Sequence, residues 1–342
     1  MRRKKGLFLL VLAPVVIGLL FLLNLFCGAV NFSPAEVWLA LTGGEADPTV
    51  SFIVWESRMP SAVTALLCGA ALAVSGLLLQ TVFTNPLADP SILGINSGAS
   101  LGVALVMLYL GGSFMAGSFH LSGFLLILAA AFVGSSVIIA LLLLFSSWVK
   151  SSLMLLIVGL MISYLTGSLI SLLNYVSTAE GVHSYIVWGL GNFSGVSRAH
   201  LLPFSLVLLL GLGGATALVK PLNALLLGEN YAANLGINLR LTRTLLLLVT
   251  GVLTAVSTAY CGPISFLGLA VPHMARLLLG SADNRLLLPL TLFTGAALAL
   301  LCNVLCTLPG DRGLIPLNVI TPFFGVPVIL YVIIFKRKYQ AF

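Results

Sequence analysis

Ten apolar stretches, each about 20 residues long, constrain this chain more than any other feature of its sequence. A helix of about 20 apolar residues crosses the roughly 30 Å hydrocarbon core of a bilayer, and backbone groups in lipid must be paired within the protein. Barrel strands would be about half as long and would alternate in polarity, which these stretches do not. The stretches are 7–28, 60–83, 92–110, 122–145, 152–175, 201–219, 244–261, 263–279, 286–306 and 317–335. The sequence therefore predicts an all-α integral membrane protein with about ten transmembrane helices.

The few charged residues predict how these helices are oriented. Only 7% of the residues are charged, whereas soluble domains carry about a quarter. Lys and Arg favour cytoplasmic loops, and basic clusters occupy 2–5 and 336–338. Ten spans put both termini in the cytoplasm and leave only Arg58, Arg198 and Arg312 outside. We therefore expect a multi-pass membrane protein with both termini in the cytoplasm, and the pI near 9.3 implies no nucleic-acid partner.

The whole chain, 1–342, reads as one transmembrane domain. Its longer polar stretches include an outer one at 176–200, which resembles a short helix at the membrane surface, and an inner one at 220–243. No soluble domain separates the apolar stretches. Membrane lipid is therefore the expected surrounding of most of the surface.

A weak internal repeat relates two of the stretches. Residues 69–75 resemble residues 251–257, and the predicted topology runs them in opposite directions. Inverted repeats are common in transporters, so the pattern predicts pseudo-repeats over roughly 58–175 and 240–335. The shared small residues would equally serve close helix packing, so coincidence remains an alternative.

Several kinds of site are missing from the sequence. No lysine has the surroundings of a nucleotide-binding P-loop, and no charge falls in the middle of a span, where ion-coupled carriers often keep one. Cys302 and Cys306 are one helical turn apart, but no His or carboxylate joins them, so neither a metal nor a cofactor is expected. No paired catalytic residues occur in mid-span. The sequence therefore favours a channel, or a permease driven by a separate ATPase, over an enzyme.

Two long motifs resemble the FecCD-type permeases. The first starts with Arg-Met-Pro at 58–60 and continues through 69–80 to Asn-Pro-Leu-Ala-Asp-Pro at 85–90. The second has Gly-Pro-Ile-Ser-Phe-Leu-Gly-Leu at 262–269, followed by Pro272-His273 and Arg276. The resemblance covers nearly the whole chain. It implies the inverted-repeat fold of type II ABC importers, a location in the bacterial cytoplasmic membrane, and uptake of iron-siderophores, haem or vitamin B12.

The resemblance also implies an assembly. Family members work as a homodimer with two cytoplasmic ATPase subunits, which bind ATP and Mg²⁺, and with one extracytoplasmic substrate-binding protein. The alternative is a self-contained secondary carrier for a small metabolite. The missing mid-membrane charge argues against that alternative, whereas the internal repeat permits it.

The sequence departs from the family pattern at three places. Ser61 stands where a second Arg is common, and Cys302-Asn303 replaces a common Ala-Asp pair. Residues 314–318 replace a common Glu-x-Pro-x-Gly pattern. These departures leave the fold prediction intact and concern the outer surface and the substrate.

A turn at the inner end of the second span is a candidate cytoplasmic gate. Two prolines with Asn and Asp make a rigid turn, which explains the prolines without any further role. The resemblance implies that Asn85 and Leu87 form part of a gate where two copies meet. Ser151 and Ser152 are candidates for a second gate, with ordinary helix capping as the alternative.

The inner loop 220–243 contains a candidate contact for the ATPase. Glu229, Ala232, Ala233 and Gly236 have the spacing of the coupling motif of ABC permeases. Small Ala side chains allow close approach, and Gly236 suits a left-handed helix end. The alternative is an ordinary surface helix with a Gly cap.

The three outward cations are candidates for docking the binding protein. Arg58 matches a motif position of the family, while Arg198 and Arg312 do not match securely. The alternative for each is a solvated loop charge that contributes little binding energy. His273 is expected to cap a helix end or bind a carbonyl rather than to ligate haem.

Overall fold

Ten apolar helices occupy the positions of the ten predicted stretches. A computed structural model describes residues 2–111, 113–116, 119–149, 152–310 and 313–335. Within these ranges seven helices are long and apolar enough to cross a membrane, and three shorter apolar helices cover Ile95–Tyr109, Leu267–Leu279 and Leu317–Val332. Each of the ten overlaps one predicted stretch, so the predicted all-α membrane fold is confirmed, and the count of about ten includes three helices shorter than a full span.

Shorter helices lie between these spans. The helices in chain order are α1 (Arg2–Phe26), α2 (Pro34–Thr42), α3 (Pro48–Ile53), α4 (Met59–Val82), α5 (Ile95–Ala104), α6 (Phe124–Trp148), α7 (Ser152–Val176), α8 (Ala179–Gly189), α9 (Arg198–Ala217), α10 (Val219–Leu225), α11 (Glu229–Asn234), α12 (Leu239–Cys261), α13 (Leu267–Leu279), α14 (Asn284–Cys306) and α15 (Leu317–Phe335). A short antiparallel hairpin, β1 (Ser113–Ala116) and β2 (Phe119–Ser122), separates α5 from α6. The helix expected within 176–200 is α8.

The second span begins earlier than the sequence predicts. Residues 29–57 read as a polar outer stretch, but α3 continues through a π-helical turn, Val54–Arg58, directly into α4. The N–H of Met59 bonds the carbonyl of Val54, five residues back. Pro60 has no N–H to donate, and wider π-type turns are one way in which a helix absorbs such a defect. The predicted start at 60 is therefore wrong by about three helical turns.

Helix α4 is the centre of the bundle, and almost all of its residues are buried. Small residues bring its neighbours close, as in other membrane helix pairs. A Cβ atom built on Gly76 would lie 1.8 Å from the carbonyl oxygen of Gly268, and one on Gly69 would lie 2.4 Å from that of Gly295. Only glycine permits such backbone approach, so these positions fix how α4 packs on α13 and α14.

The two halves of the chain pack on each other in a reciprocal way. Helix α4 packs on α14, and α12, which carries the repeated sequence, packs on α6. Likewise α5 contacts α7, and α13 contacts α15. Two inverted repeats that exchange partners would produce this pattern.

The outer surfaces of α1 and α7 are apolar and exposed. Only a small share of either apolar segment is buried inside the chain. Large side chains such as Phe8, Val11, Tyr164 and Leu165 are more than half exposed. Apolar faces of this size require lipid or another subunit against them.

Candidate functional site

The candidate gate turn follows the C-terminus of α4. Thr84 adopts the left-handed conformation (φ +46°), and the N–H of Asn85 bonds the carbonyl of Gln80 at 3.2 Å. The N–H of Thr84 bonds the carbonyl of Thr81 at 3.3 Å. These two bonds form a Schellman cap, in which glycine is the usual left-handed residue. The chain therefore leaves α4 at a fixed angle.

Beyond the cap, the turn is held by its own side chains. The Asn85 side-chain oxygen accepts a hydrogen bond from the N–H of Leu87 at 2.9 Å. Asn85 is half-buried, whereas Leu87 is 43% exposed. The Asn85 amide thus fixes the backbone that presents Leu87, and Leu87 with the neighbouring exposed Pro86 forms an apolar surface available to another molecule.

Asp89 anchors the far side of the turn. Its carboxylate accepts hydrogen bonds from the N–H of Ser91 at 2.9 Å and from the Ser91 hydroxyl. The other carboxylate oxygen packs on Gly268, where a Cβ would lie 2.5 Å from it. Burial raises the pKa of Asp89 above its ordinary value, and the Ser91 hydrogen bonds offset part of that rise.

Helix α13 contacts this turn from the other half of the chain. The His273 Nε2–H donates to the carbonyl of Pro86 at 2.7 Å, so the expected carbonyl-binding role of His273 is confirmed. Arg276 donates to the side-chain oxygen of Gln80, and the Gln80 amide donates to the carbonyl of Leu269 at 3.2 Å. The two sequence motifs, separated by almost 190 residues, thus form one site.

The second candidate gate is only partly within the described residues. Ser151 lies outside them. Ser152 is the first residue of α7, and its side chain is outside the described set. The proposed role of both serines stays a prediction.

The candidate coupling segment contains the expected helix and its left-handed end. Gly236 has φ +81° and follows the six-residue helix α11. The N–H of Gly236 bonds the carbonyl of Ala233 at 2.9 Å, and the N–H of Ile237 bonds that of Ala232 at 3.1 Å. This is a Schellman cap in which glycine carries the positive φ. The Gly-capped helix predicted from the sequence is therefore present.

The four predicted coupling residues do not share one surface. Ala232 is fully buried in the main core, whereas Ala233 is exposed. Glu229 forms an ion pair with Arg243 of α12. Ala232 and Glu229 therefore hold α11 on its own chain, and the expectation that Ala232 leaves room for a partner is corrected. Ala233 and the exposed Tyr231 and Leu235 remain for a contact outside the chain.

The coupling segment is also joined to the loop between α13 and α14. The Asn223 amide of α10 donates to the Asp283 carboxylate at 2.8 Å. The Asn223 side-chain oxygen accepts from the N–H of Asn284 at 2.8 Å. Asp283 also caps α14 through the N–H of Arg285. One asparagine thus links α10 to the start of α14.

Arg58 differs most from its predicted setting. The residue is only 7% exposed, and its guanidinium donates to the carbonyls of Leu25, Phe26 and Val30. It also lies 5.1 Å from the ring centre of Phe32. The interpretation as a solvated loop charge is wrong because the π-helical turn directs this side chain under the loop that follows α1. Arg58 ties that loop to α4.

The other two predicted docking cations have different surroundings. Arg198 is exposed at the start of α9 and forms a 2.8 Å ion pair with Glu56. Trp55 lies beneath its guanidinium at 5.9 Å. Arg312 lies outside the described residues. Of the two described cations, Arg198 alone presents its charge at the surface.

A cavity of about 570 Å³ opens beside Arg58, between α1, α4 and α14. Two of the departures from the family pattern meet in its wall. The Asn303 amide donates to the hydroxyl of Ser61 at 3.2 Å and to the side-chain oxygen of Asn24 at 2.8 Å. Asn24 donates in turn to the carbonyl of Leu300 at 3.0 Å. The wall of this cavity therefore carries a neutral amide and hydroxyl cluster.

Comparison with known proteins decides the family. Residues 16–335 match the FecCD transport family. The chain belongs to this family. The vitamin B12 import system permease protein BtuC of Klebsiella pneumoniae subsp. pneumoniae is 34% identical over 332 residues, covering 97% of this chain and 93% of that protein. BtuC of Salmonella typhi is 34% identical over 315 residues, covering 92% of this chain and 90% of that protein.

A solved structure supports the same assignment. It is described as an inward-facing conformation of a metal-chelate type ABC transporter, and it matches this FecCD chain with a TM-score of 0.82 at 30% identity. The match covers 96% of this chain and 98% of the other. The chain is thus an inner-membrane, multi-pass transport component with the fold of type II ABC importer permeases.

Sequence reasoning missed three residues that organise these sites. Asn24 lies inside the first apolar stretch, and a polar residue there is a recognisable signal of a helix contact. Gln80 has the same signal near the end of the second stretch. Asn223 lies in a polar loop, where nothing in the sequence distinguishes it from its neighbours.

Proposed function

We propose that this chain is the membrane-spanning permease subunit of an ATP-driven importer for vitamin B12 or an iron chelate, either a siderophore or haem. The observation that carries the proposal is the similarity to vitamin B12 permeases over 97% of the chain. The chain has no P-loop sequence, so in an ATP-driven importer the hydrolysis of ATP takes place in another subunit. In this assembly a homodimer of the chain binds two cytoplasmic ATPases, which hold ATP and Mg²⁺, and an extracytoplasmic binding protein.

The geometry of α11 supports contact with an ATPase. Ala232 and the Glu229–Arg243 ion pair attach the helix firmly to its own chain, while Ala233 and Leu235 are exposed. A stiff helix with an exposed apolar side can transmit a push, because its displacement moves the helices on which it is anchored. In this orientation both termini and α11 are cytoplasmic, and α8 is external.

The geometry of the turn at 85–90 supports a gate. Its backbone is fixed by two prolines, the Asn85 amide and the buried Asp89, and it presents two neighbouring exposed apolar side chains, Pro86 and Leu87. Apolar constrictions close a pathway by excluding water. In a homodimer, two such turns that approach each other would close the inner end of a shared pathway.

Uptake by proteoliposomes tests this function. The permease is reconstituted with its ATPase and binding protein, and labelled cyanocobalamin, a ferric hydroxamate siderophore and haemin are offered separately. We expect ATP-dependent uptake of one of them, and none without the ATPase. Uptake by the permease alone along an ion gradient would instead establish the secondary carrier.

Labelling of single cysteines in intact cells tests the orientation. A cysteine at an exposed position of α11 should resist a membrane-impermeant reagent, whereas one at an exposed position of α8 should react. Reaction at 228–236 from the outside would overturn the proposed topology.

A further inference from the structure

Helix α13 touches the candidate gate turn at both of its ends. Near the start of the gate turn, His273 donates a hydrogen bond to the carbonyl of Pro86. Arg276 donates to the side-chain oxygen of Gln80, which lies near the C-terminus of α4. At the end of the turn, the Asp89 carboxylate packs on Gly268. Within the turn the N–H of Ala88 bonds the carbonyl of Asn85, whereas the carbonyl of Pro86 takes its hydrogen bond from His273 of α13. Helix α13 therefore adds contacts from outside to a turn that is otherwise held by its own residues.

The opposite end of α13 leads to the coupling segment. The helix ends at Leu279, and Gly280 (φ +67°) turns the chain into the short loop before α14. In this loop Asp283 and the N–H of Asn284 both bind the side chain of Asn223. Asn223 belongs to α10, which precedes α11 by only three residues. A short series of hydrogen bonds thus runs from α10 to the loop that follows α13.

We propose that α13 is a connecting helix that sets the position of the gate turn according to the position of α10 and α11. His273 and Arg276 are its positioning residues, because they touch the gate turn and α4. When the coupling segment moves, Asn223 displaces the loop at 280–284, α13 moves with it, and Pro86 and Gln80 follow. This inference rests on the proposed function, since the movement originates in the ATPase.

The first test uses variants that remove the contact. Arg276→Met leaves Gln80 without its donor, and His273→Leu leaves the carbonyl of Pro86 without one. The double variant Gln80→Leu/Arg276→Met replaces both partners by apolar groups, which usually disturbs folding less than removing one. His273→Gln keeps an amide donor near Pro86. Arg285→Met is the matched control, because Arg285 is an exposed arginine at the start of α14.

The measured quantity is substrate imported per ATP hydrolysed by the reconstituted complex. We expect His273→Leu, Arg276→Met and the double variant to lower this ratio about fivefold or more while ATP hydrolysis continues, as lost coupling between two sites would. His273→Gln should recover most of the ratio, and Arg285→Met should leave it unchanged. A purely structural role would lower transport and hydrolysis together.

Two outcomes would overturn the inference. One is a double variant that assembles and keeps the wild-type ratio, since the contact would then be dispensable. The other is a parallel loss of uptake and hydrolysis in every variant that assembles. Failure of the proposed function is distinguishable, because the wild-type complex would then show no ATP-dependent uptake at all.

Discussion

The side-chain oxygen of Asn318 accepts a hydrogen bond from the backbone N–H of Ser265 at 3.0 Å. The amide nitrogen of the same side chain donates to the carbonyls of Pro263 at 2.6 Å and Gly189 at 3.1 Å. The loop from 262 to 266 breaks the helical path between α12 and α13, and irregular backbone in a membrane protein must find partners within the protein. One amide at the start of α15 supplies them and joins this loop to α8.

We expect Asn318→Leu to destabilise the fold, because it removes the partner of three part-buried backbone groups, and a fully buried group left unpaired costs about 1–3 kcal/mol. The measurement is the thermal unfolding midpoint of the detergent-purified protein. Asn192→Leu is the matched control, since Asn192 is exposed nearby. Equal midpoints for Asn318→Leu and the wild type would contradict this account of the loop.

Thr84 is a position at which a substitution should stabilise the protein. We expect Thr84→Gly to raise stability by up to about 1 kcal/mol, because glycine avoids the steric cost of the left-handed conformation, while its greater freedom in the unfolded chain takes back part of the gain. Thr84→Ala keeps that steric cost and should give no such gain. Stability is measured by unfolding in mixed detergent micelles. A less stable Thr84→Gly variant would show that the Thr84 side chain itself has a stabilising role.

The two alanines of α11 should respond differently to a large side chain. Ala233→Trp changes an exposed residue, so the permease should fold normally but lose substrate-stimulated ATP hydrolysis in the reconstituted complex. Ala232→Trp changes a fully buried residue, and such overpacking typically costs about 1–3 kcal/mol of stability. A correctly assembled Ala233→Trp complex with normal transport would remove this face of α11 from the ATPase contact.

Substitution of Arg58 and of Arg198 should distinguish a structural role of an outer arginine from a docking role. Arg58→Gln should lower the unfolding midpoint clearly, because hydrogen bonds from a charged donor contribute about 1.5–3 kcal/mol each, and Arg58→Lys should not restore it fully. Arg198→Gln should leave stability nearly unchanged, because exposed ion pairs contribute little.

The rate at which the extracytoplasmic binding protein associates with the permease is the second quantity to measure for the Arg58 and Arg198 variants. We expect Arg198→Gln to slow association most at low salt, where surface charges are least screened. Association rates measured at two salt concentrations test this. A salt-independent rate for the wild type would show that neither arginine steers docking by its charge.

Apolar length located the ten spans, and the Gly at 236 located the end of α11, because both depend on local chemistry. The burial of Arg58 depends instead on a π-helical turn that carries the helix past three polar residues, Glu56, Ser57 and Arg58. The sequence signal at Pro60 was real, but it marked a defect within a longer helix. Local pattern cannot distinguish a helix start from a defect when tertiary packing supports the helix on both sides.

Which alanine of α11 faces inward was equally beyond the sequence. A six-residue helix is too short to display a hydrophobic period, so Ala232 and Ala233 look alike until α11 is packed. The contact between Ser61 and Asn303 joins residues 242 positions apart. Both residues depart from the family pattern, but only the packing of α4 on α14 brings them together.

The central place of α4 has a consequence for the synthesis of the protein. Its main neighbours α12, α13 and α14 are made long after it, the last of them ending at Cys306. At about 5–20 residues per second, the ribosome takes roughly 10 to 45 seconds to advance from the end of α4 to the end of α14. During that interval the glycine-lined surface of α4 must stay in the membrane without its final partners. Correct assembly of this protein therefore requires that α4 be kept from pairing with other helices until the last third of the chain has been synthesised.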